Sequence, residues 1–258
     1  MKRYKVLIWT WLSFWALCTT AVQAQNGDQI LDGIGETGLI ARYLFDGDVK
    51  DWSRNNWHGK IEDSKAKFVN DEQFGRVLYL LADNQAFVSI PGEALSGEES
   101  LSITGWIFMR SKQKDQRFFD FGRDAKSHLY LAPIGIKDKE GLYTEITKGT
   151  EQYDTQAAAL EEGKWNHIAV VVNIPSKTMS TYVNGVLAGE TKNVNLELEQ
   201  LFDKNSGSKN TLYIGKSLTS ENSYLNAKLH DFRIYRIALS DKQVNRIYNN
   251  ALTAGQEE

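Results

Sequence analysis

The sequence predicts an all-β fold, a two-sheet antiparallel β-sandwich with a short C-terminal helix. Three observations lead there. Short apolar or alternating runs recur along most of the chain, turn residues separate them, and one segment near the C-terminus has clear helical periodicity. Many strands at such spacing, with no helices between them, favour stacked antiparallel sheets over βαβ units.

The elements follow in order. Lys2, Arg3 and Lys5 form a positive head, residues 6–17 an apolar core, and the stretch ending at Ala24 a cleavage signature. Residues 1–24 therefore read as a secretory signal peptide, cut before Gln25. The apolar run is shorter than the roughly 20 residues of a membrane span, so no span is expected after cleavage. Lipid anchoring at Cys18 is the less favoured alternative, because Leu17 is bulky where that processing site wants a small residue. The expected location is secreted, periplasmic or extracellular. Cys18 is the single cysteine, so the mature chain has neither disulfide nor thiol chemistry. Residues 25–37 are a polar, Gly-rich lead-in, 38–252 one domain, and 253–258 a polar tail.

Within the domain, strands are expected at 39–45, 76–81, 86–90, 101–109, 117–121, 128–132, 142–147, 165–174, 178–183, 211–215 and 227–236. Residues 165–173 are apolar on both faces, as in a central strand covered on two sides. Asn184 and Gly185 both tolerate positive φ, which predicts a tight hairpin joining 178–183 to 186–190. Glu197 and Glu199 alternate with Leu196 and Leu198, as on the outer face of a strand. Ser240 and Gln243 form a capping box ahead of Val244, Ile247 and Tyr248, which share one helical face.

The formal charge is −3, and more negative once Lys2, Arg3 and Lys5 are removed. An acidic, charge-mixed chain lacks the basic stripe that nucleic acid needs. No phosphate loop, dinucleotide fingerprint or Gly-x-Ser-x-Gly elbow occurs. His58, His128, His167 and His230 have no metal-ligand spacing, and His167, inside a central strand, reads as a hydrogen-bonded structural residue.

Two ends of the chain carry a family likeness. Near the start stand Leu39-Ile-Ala-Arg-Tyr-Leu-Phe-Asp-Gly-Asp48 and Asp51-Trp-Ser-Arg-Asn-Asn-Trp-His-Gly59; near the finish, Leu212-Tyr-Ile-Gly-Lys216 and Leu229-His-Asp-Phe-Arg-Ile-Tyr235. With Ser102-Ile-Thr-Gly-Trp106 and Tyr182-Val-Asn-Gly185 between them, the chain resembles the laminin-G-like, concanavalin A-like jelly-roll family over most of 39–250. The resemblance implies a buried Trp106 and paired terminal strands. It also implies a structural calcium joining those strands, with Asp46, Asp48, Asp51 and Asp231 as ligands; calcium wants six to eight oxygens. Two departures stand out. Arg54, Asn55 and Asn56 replace a Gly-rich turn, and His230 replaces one acid of a common pair. Asp46 and Asp51 read equally well as turn formers.

The same fold hosts glucanases with a Glu-x-Asp-x-x-Glu strand, and this chain has none. No catalytic residue is assigned. A ligand surface is expected instead where aromatic and polar groups mix, and the candidate contacts are Asp120, Arg123, Tyr130, Tyr143 and Glu145. Phe118, Phe119 and Phe121 read as core; strand alternation puts Arg117 on the face of Phe119 and Phe121, with Phe118 and Asp120 opposite. The expected function is a secreted, non-catalytic carbohydrate-binding module for an extracellular glycan. The alternatives are a protein-interaction or adhesion module, and a glycoside hydrolase or accessory domain of one.

Overall fold

The computed structural model describes residues 38–254, except 63–64, 204, 206–208 and 222. The expected signal peptide, the lead-in up to residue 37 and residues 255–258 lie outside the described residues. The strands are β1 (Leu39–Tyr43), β2 (Lys60–Ile61), β3 (Lys67–Asp71), β4 (Gly75–Leu80), β5 (Val88–Ile90), β6 (Ser100–Met109), β7 (Phe119–Asp124), β8 (Ser127–Ala132) and β9 (Gly135–Ile136). They continue with β10 (Lys139–Glu140), β11 (Leu142–Lys148), β12 (Glu151–Ala157), β13 (Trp165–Asn173), β14 (Thr178–Val183), β15 (Val186–Lys192), β16 (Thr211–Ile214) and β17 (Ala227–Tyr235). Among the described residues two α-helices complete the fold, α1 (Leu198–Leu201) and α2 (Asp241–Ala254).

Two antiparallel sheets face each other. One runs β15-β14-β13-β6-β17-β4-β3; β17 pairs with β4 through its first half and with β1 through its second. The other runs β12-β11-β8-β7-β16-β5-β2, and β9 and β10 form a small separate ribbon. The terminal strands β1 and β17 pair as expected.

Alternation builds the core. Ile103, Ile107, Ile168, Val170, Phe232 and Ile234 from the first sheet meet Phe119, Phe121, Leu129, Leu131, Ile146 and Leu212 from the second. Burying side chains of this size stabilises by about 1.5–3 kcal/mol each. β13 is apolar on both faces because its outer residues, Ala169 and Val171, are covered in turn by Val244 and Ile247 of α2. The capping box is formed: Ser240 N–H donates to Gln243 Oε1 at 2.9 Å, and Gln243 N–H to Ser240 Oγ at 3.4 Å. Asn184 and Gly185 turn the β14–β15 hairpin at φ of 51° and 77°. Asn56 takes a left-handed φ of 59°, so the turn that replaces the family's Gly-rich one is made.

Some expectations fail. The short or polar strands β2, β3, β9, β10 and β12 lack the apolar runs that marked the others. The segment holding Leu196, Glu197, Leu198 and Glu199 is no strand: Leu198 opens the single turn of α1, and Leu196, Leu198 and Leu201 all turn inward. α2 also takes in Thr253 and Ala254, which had read as tail.

Candidate functional site

The terminal strands meet at a buried charge cluster. β17 bulges at Asp231, whose φ is 47°. Its carboxylate accepts from Arg42 Nε at 2.8 Å and Nη2 at 3.3 Å, and from Arg233 Nε at 3.0 Å and Nη2 at 2.6 Å. Burial by itself would raise the Asp231 pKa, but the two guanidiniums override it and hold it well below the carboxylate range. Asp51 is spent on its own loop, accepting from the backbone N–H groups of Arg42, Ser53 and Trp57 and from the Ser53 hydroxyl. Asp48 caps Lys50 N–H at 3.0 Å, and Asp46 is exposed. Among the described residues no group of three or more acids, histidines or cysteines is placed to hold a metal. Asp231 does not fit the calcium ligand expected of it, because the Arg42 and Arg233 guanidiniums occupy both of its carboxylate oxygens.

The outer face of the seven-stranded sheet is different. Register places Asp154 of β12, Glu145 of β11, Tyr130 of β8, Asp120 of β7, Tyr213 of β16 and Ser89 of β5 directly opposite one another in a single row. Their sequence neighbours point into the sandwich, so this row is the solvent side of the sheet. Over it lies a cavity of about 470 Å³, lined by Arg117, His128, Tyr130, Lys137, Glu145 and Ser220 among others.

The two carboxylates here are held by hydrogen bonds. Glu145 accepts from Tyr130 Oη at 3.1 Å, Tyr143 Oη at 3.0 Å and Thr147 Oγ1 at 2.8 Å, and from the Gln152 amide. Burial, then the Glu145 charge, pushes both tyrosine phenols above their usual range, so they remain donors. Asp120 is fully buried; Oδ1 accepts from His128 Nδ1 at 2.8 Å and Oδ2 from Leu218 N–H at 2.9 Å. The Arg117 guanidinium stacks 4.1 Å from the Tyr130 ring centroid, and its Nε is buried without a hydrogen-bond partner.

Four of the five candidate contacts therefore converge. Tyr130 and Glu145 line the cavity, while Asp120 and Tyr143 lie beneath and beside it as supports. Arg123 does not join them: its Nη2 donates to Gln200 O at 2.6 Å, and it lines a neighbouring cavity. The alternation expected around Arg117 also breaks. Phe118 and Phe119 are both buried in the core, which puts Arg117 on the side of Asp120. His128, which is not among the five candidate contacts, lines the cavity too, two residues from Tyr130 and on the same face. Thr219 and Ser220 arrive from a loop far along the chain and gave no local signal.

On the outer face of the eight-stranded sheet, His167, Trp106 and His230 are direct neighbours across β13, β6 and β17. Phe74 stacks on His230 at 4.5 Å and Tyr248 on Trp106 at 5.6 Å. Trp106 is buried as expected, but by Phe74 and α2 rather than between the sheets. His167 is buried yet not hydrogen-bonded through its ring: Nδ1 and Nε2 have no partner among the described residues.

The fold and this polar cleft define a jelly-roll sandwich. The chain belongs to the Concanavalin A-like lectin/glucanases superfamily, whose family model (Laminin_G_3) matches residues 82–245. No curated protein matches the chain. Among solved structures it is similar to domain 4 of AbnA, a GH43 extracellular arabinanase from Geobacillus stearothermophilus, in complex with arabinotriose. That match has a TM-score of 0.67 and 22% identity, covering 82% of this chain and 98% of that one. It is also similar to the binding domain of Paraclostridial Mosquitocidal Protein 1, with a TM-score of 0.64 and 17% identity, over 83% and 52%. The binding domain of Botulinum Neurotoxin DC in complex with SialylT gives a TM-score of 0.61 and 15% identity, also over 83% and 52%. The chain thus spans about half the length of these toxin domains. No helix of the described residues is long and apolar enough to cross a membrane.

Proposed function

We propose that the chain is a secreted, non-catalytic carbohydrate-binding module whose ligand lies on the outer face of the seven-stranded sheet. The observation that carries this reading is the row Glu145–Tyr130–Asp120 beneath the cavity lined by Arg117 and His128. Such a mixture suits sugars: ring faces pack on aromatic surface while hydroxyls bond to fixed polar groups. The arabinotriose complex of the AbnA domain supports the same reading by likeness of fold. Glu145 already accepts four hydrogen bonds and Asp120 is buried and paired, so neither is a free nucleophile or acid. A scaffold that orients a ligand fits them better than catalysis.

The test is native-gel retardation of residues 25–258 by a panel of soluble polysaccharides, followed by calorimetry on any hit. Tyr130→Ala and Glu145→Gln are expected to weaken binding at least about tenfold, the worth of one hydrogen bond to a charged group. Retention of full affinity by both variants would remove the site. A second reading has its own observation: Val186 and Leu187 at the β14–β15 hairpin are 65% and 45% exposed. An apolar tip of this kind suits a protein partner, and is favoured if no polysaccharide retards the chain.

A further inference from the structure

The geometry points to a second subsite beside the first, for an anionic substituent of the same ligand, a carboxylate or a sulfate ester carried by a sugar. It rests on the glycan-binding reading above. A cavity of about 730 Å³ lies along the same sheet face, lined by Arg123, Thr211, Tyr213, Lys216, Thr219 and Ser220 among others. Thr219 and Ser220 also line the first cavity, so one loop forms the ridge between the two. Tyr213 stands in the same row as Asp120 and Tyr130. At about 4.8 Å between strands, Tyr213 and Tyr130 are about 10 Å apart, a distance one oligosaccharide bridges.

The chemistry of this cavity is set by two cations, Lys216 and Arg123, that form no salt bridge among the described residues. The Lys216 ammonium sits 4.5 Å from the Phe87 ring centroid, 5.3 Å from Tyr213 and 5.5 Å from Tyr224. The rings hold the charge by cation–π attraction, but they satisfy none of its N–H donors in hydrogen-bond fashion. Lys216 has no ion pair or hydrogen bond through its side chain among the described residues. Glu62 feels its charge, yet the Glu62 carboxylate is bound to Lys60 at 2.7 Å and Ser89 at 2.6 Å.

Arg123 gives Nη2 to Gln200 O and Ser127 Oγ, while among the described residues its buried Nε has no hydrogen-bond partner and no carboxylate pairs with it. The acids on this cavity are Asp124 and Glu221, both exposed at its rim; Asp124 Oδ1 already accepts Lys126 N–H at 2.8 Å. In the first cavity the guanidinium, Arg117, lies 3.9 Å from the Asp120 carboxylate, and the ammonium there, Lys137, is exposed. An anionic oxygen entering the second cavity meets the Lys216 ammonium, whose donors it completes by charge-assisted hydrogen bonds, beside the fixed charge of the Arg123 guanidinium.

The experiment is a glycan array carrying neutral, uronate-bearing and sulfated oligosaccharides, probed with wild type, Lys216→Met, Arg123→Gln and Tyr130→Ala, each checked for an unchanged melting curve. The expected result is about tenfold or greater preference of wild type for acidic members, the scale of a hydrogen bond to a charged group. Lys216→Met and Arg123→Gln are expected to lose that preference while keeping neutral binding, and Tyr130→Ala to lose both. The uronate and sulfate arms tell which anion is taken. Equal binding of neutral and acidic members, or a preference that survives both cation variants, overturns the subsite and leaves the glycan reading standing. No binding to any member overturns both.

Discussion

Acid should unfold this protein partly through one histidine. His167 is wholly buried beside the Trp106 and Tyr248 rings, and its two ring nitrogens have no hydrogen-bond partner among the described residues. Burial disfavours the charged form first, the nearby Arg233 charge adds to this, and Asp231 opposes it; the pKa is pulled from 6.5 down to about 3. Because the folded pKa is depressed, the contribution to stability is complete above the unfolded value. It is lost as pH falls from there toward the folded value. Near pH 4.5 the unfolded histidine is charged while the folded one is still neutral, so about 3 kcal/mol of stability is lost relative to about pH 7.5. Urea unfolding of wild type and His167→Leu at both pH values isolates the term. Wild type should lose about 3 kcal/mol more than the variant between them. His230, whose pKa burial also lowers, remains in both proteins and supplies part of the shared residual slope. Identical pH dependence in the two proteins would refute the argument and mean that the His167 ring has a partner or is reached by water.

Three further outcomes are expected. Asp231→Ala removes the carboxylate that the Arg42 and Arg233 guanidiniums share in a buried site, and should cost about 3–5 kcal/mol in urea unfolding. A chelator should leave the melting temperature unchanged, since Arg42 and Arg233 rather than an ion neutralise Asp231; a fall in melting temperature on chelation, restored by calcium, would contradict this. Gly122→Ala would place a methyl 2.2 Å from Ser127 O and 2.5 Å from His128 Cβ. It should cost about 1–3 kcal/mol by overpacking and weaken glycan binding by shifting His128, as calorimetry and melting curves would show.

Much of the fold was legible because its signals are local. The both-sided apolar run of β13, the Asn184–Gly185 hairpin and the Ser240–Gln243 capping box each depend on residues a few positions apart, and each is present. The candidate contacts on β8 and β11 were legible for a similar reason: Tyr130, Tyr143 and Glu145 follow the period-two pattern of strands that do not bulge. Arg117 was misplaced because two successive phenylalanines, Phe118 and Phe119, both gain burial, and that overrides alternation. Arg123 was placed with the wrong group because the register shifts between Gly122 and Asp124. Polar β12 was missed because its partner strand, not its own sequence, gives it a ladder to join.

The acids show the division most clearly. Asp51 and Asp231 announce themselves as chemically able to bind a cation, and their residue types permit that much. Whether they do depends on what stands within hydrogen-bond reach. β1 delivers Arg42 onto Asp231 across 189 positions of chain, and the bulge of β17 turns Arg233 onto the same carboxylate. Local pattern, from periodicity, turns and caps, determined that this chain forms a two-sheet sandwich with a C-terminal helix. Tertiary structure alone decided which charges neutralise one another and which, like Lys216, are left facing a cavity, because Coulomb and hydrogen-bond energies follow distance in space rather than separation along the chain.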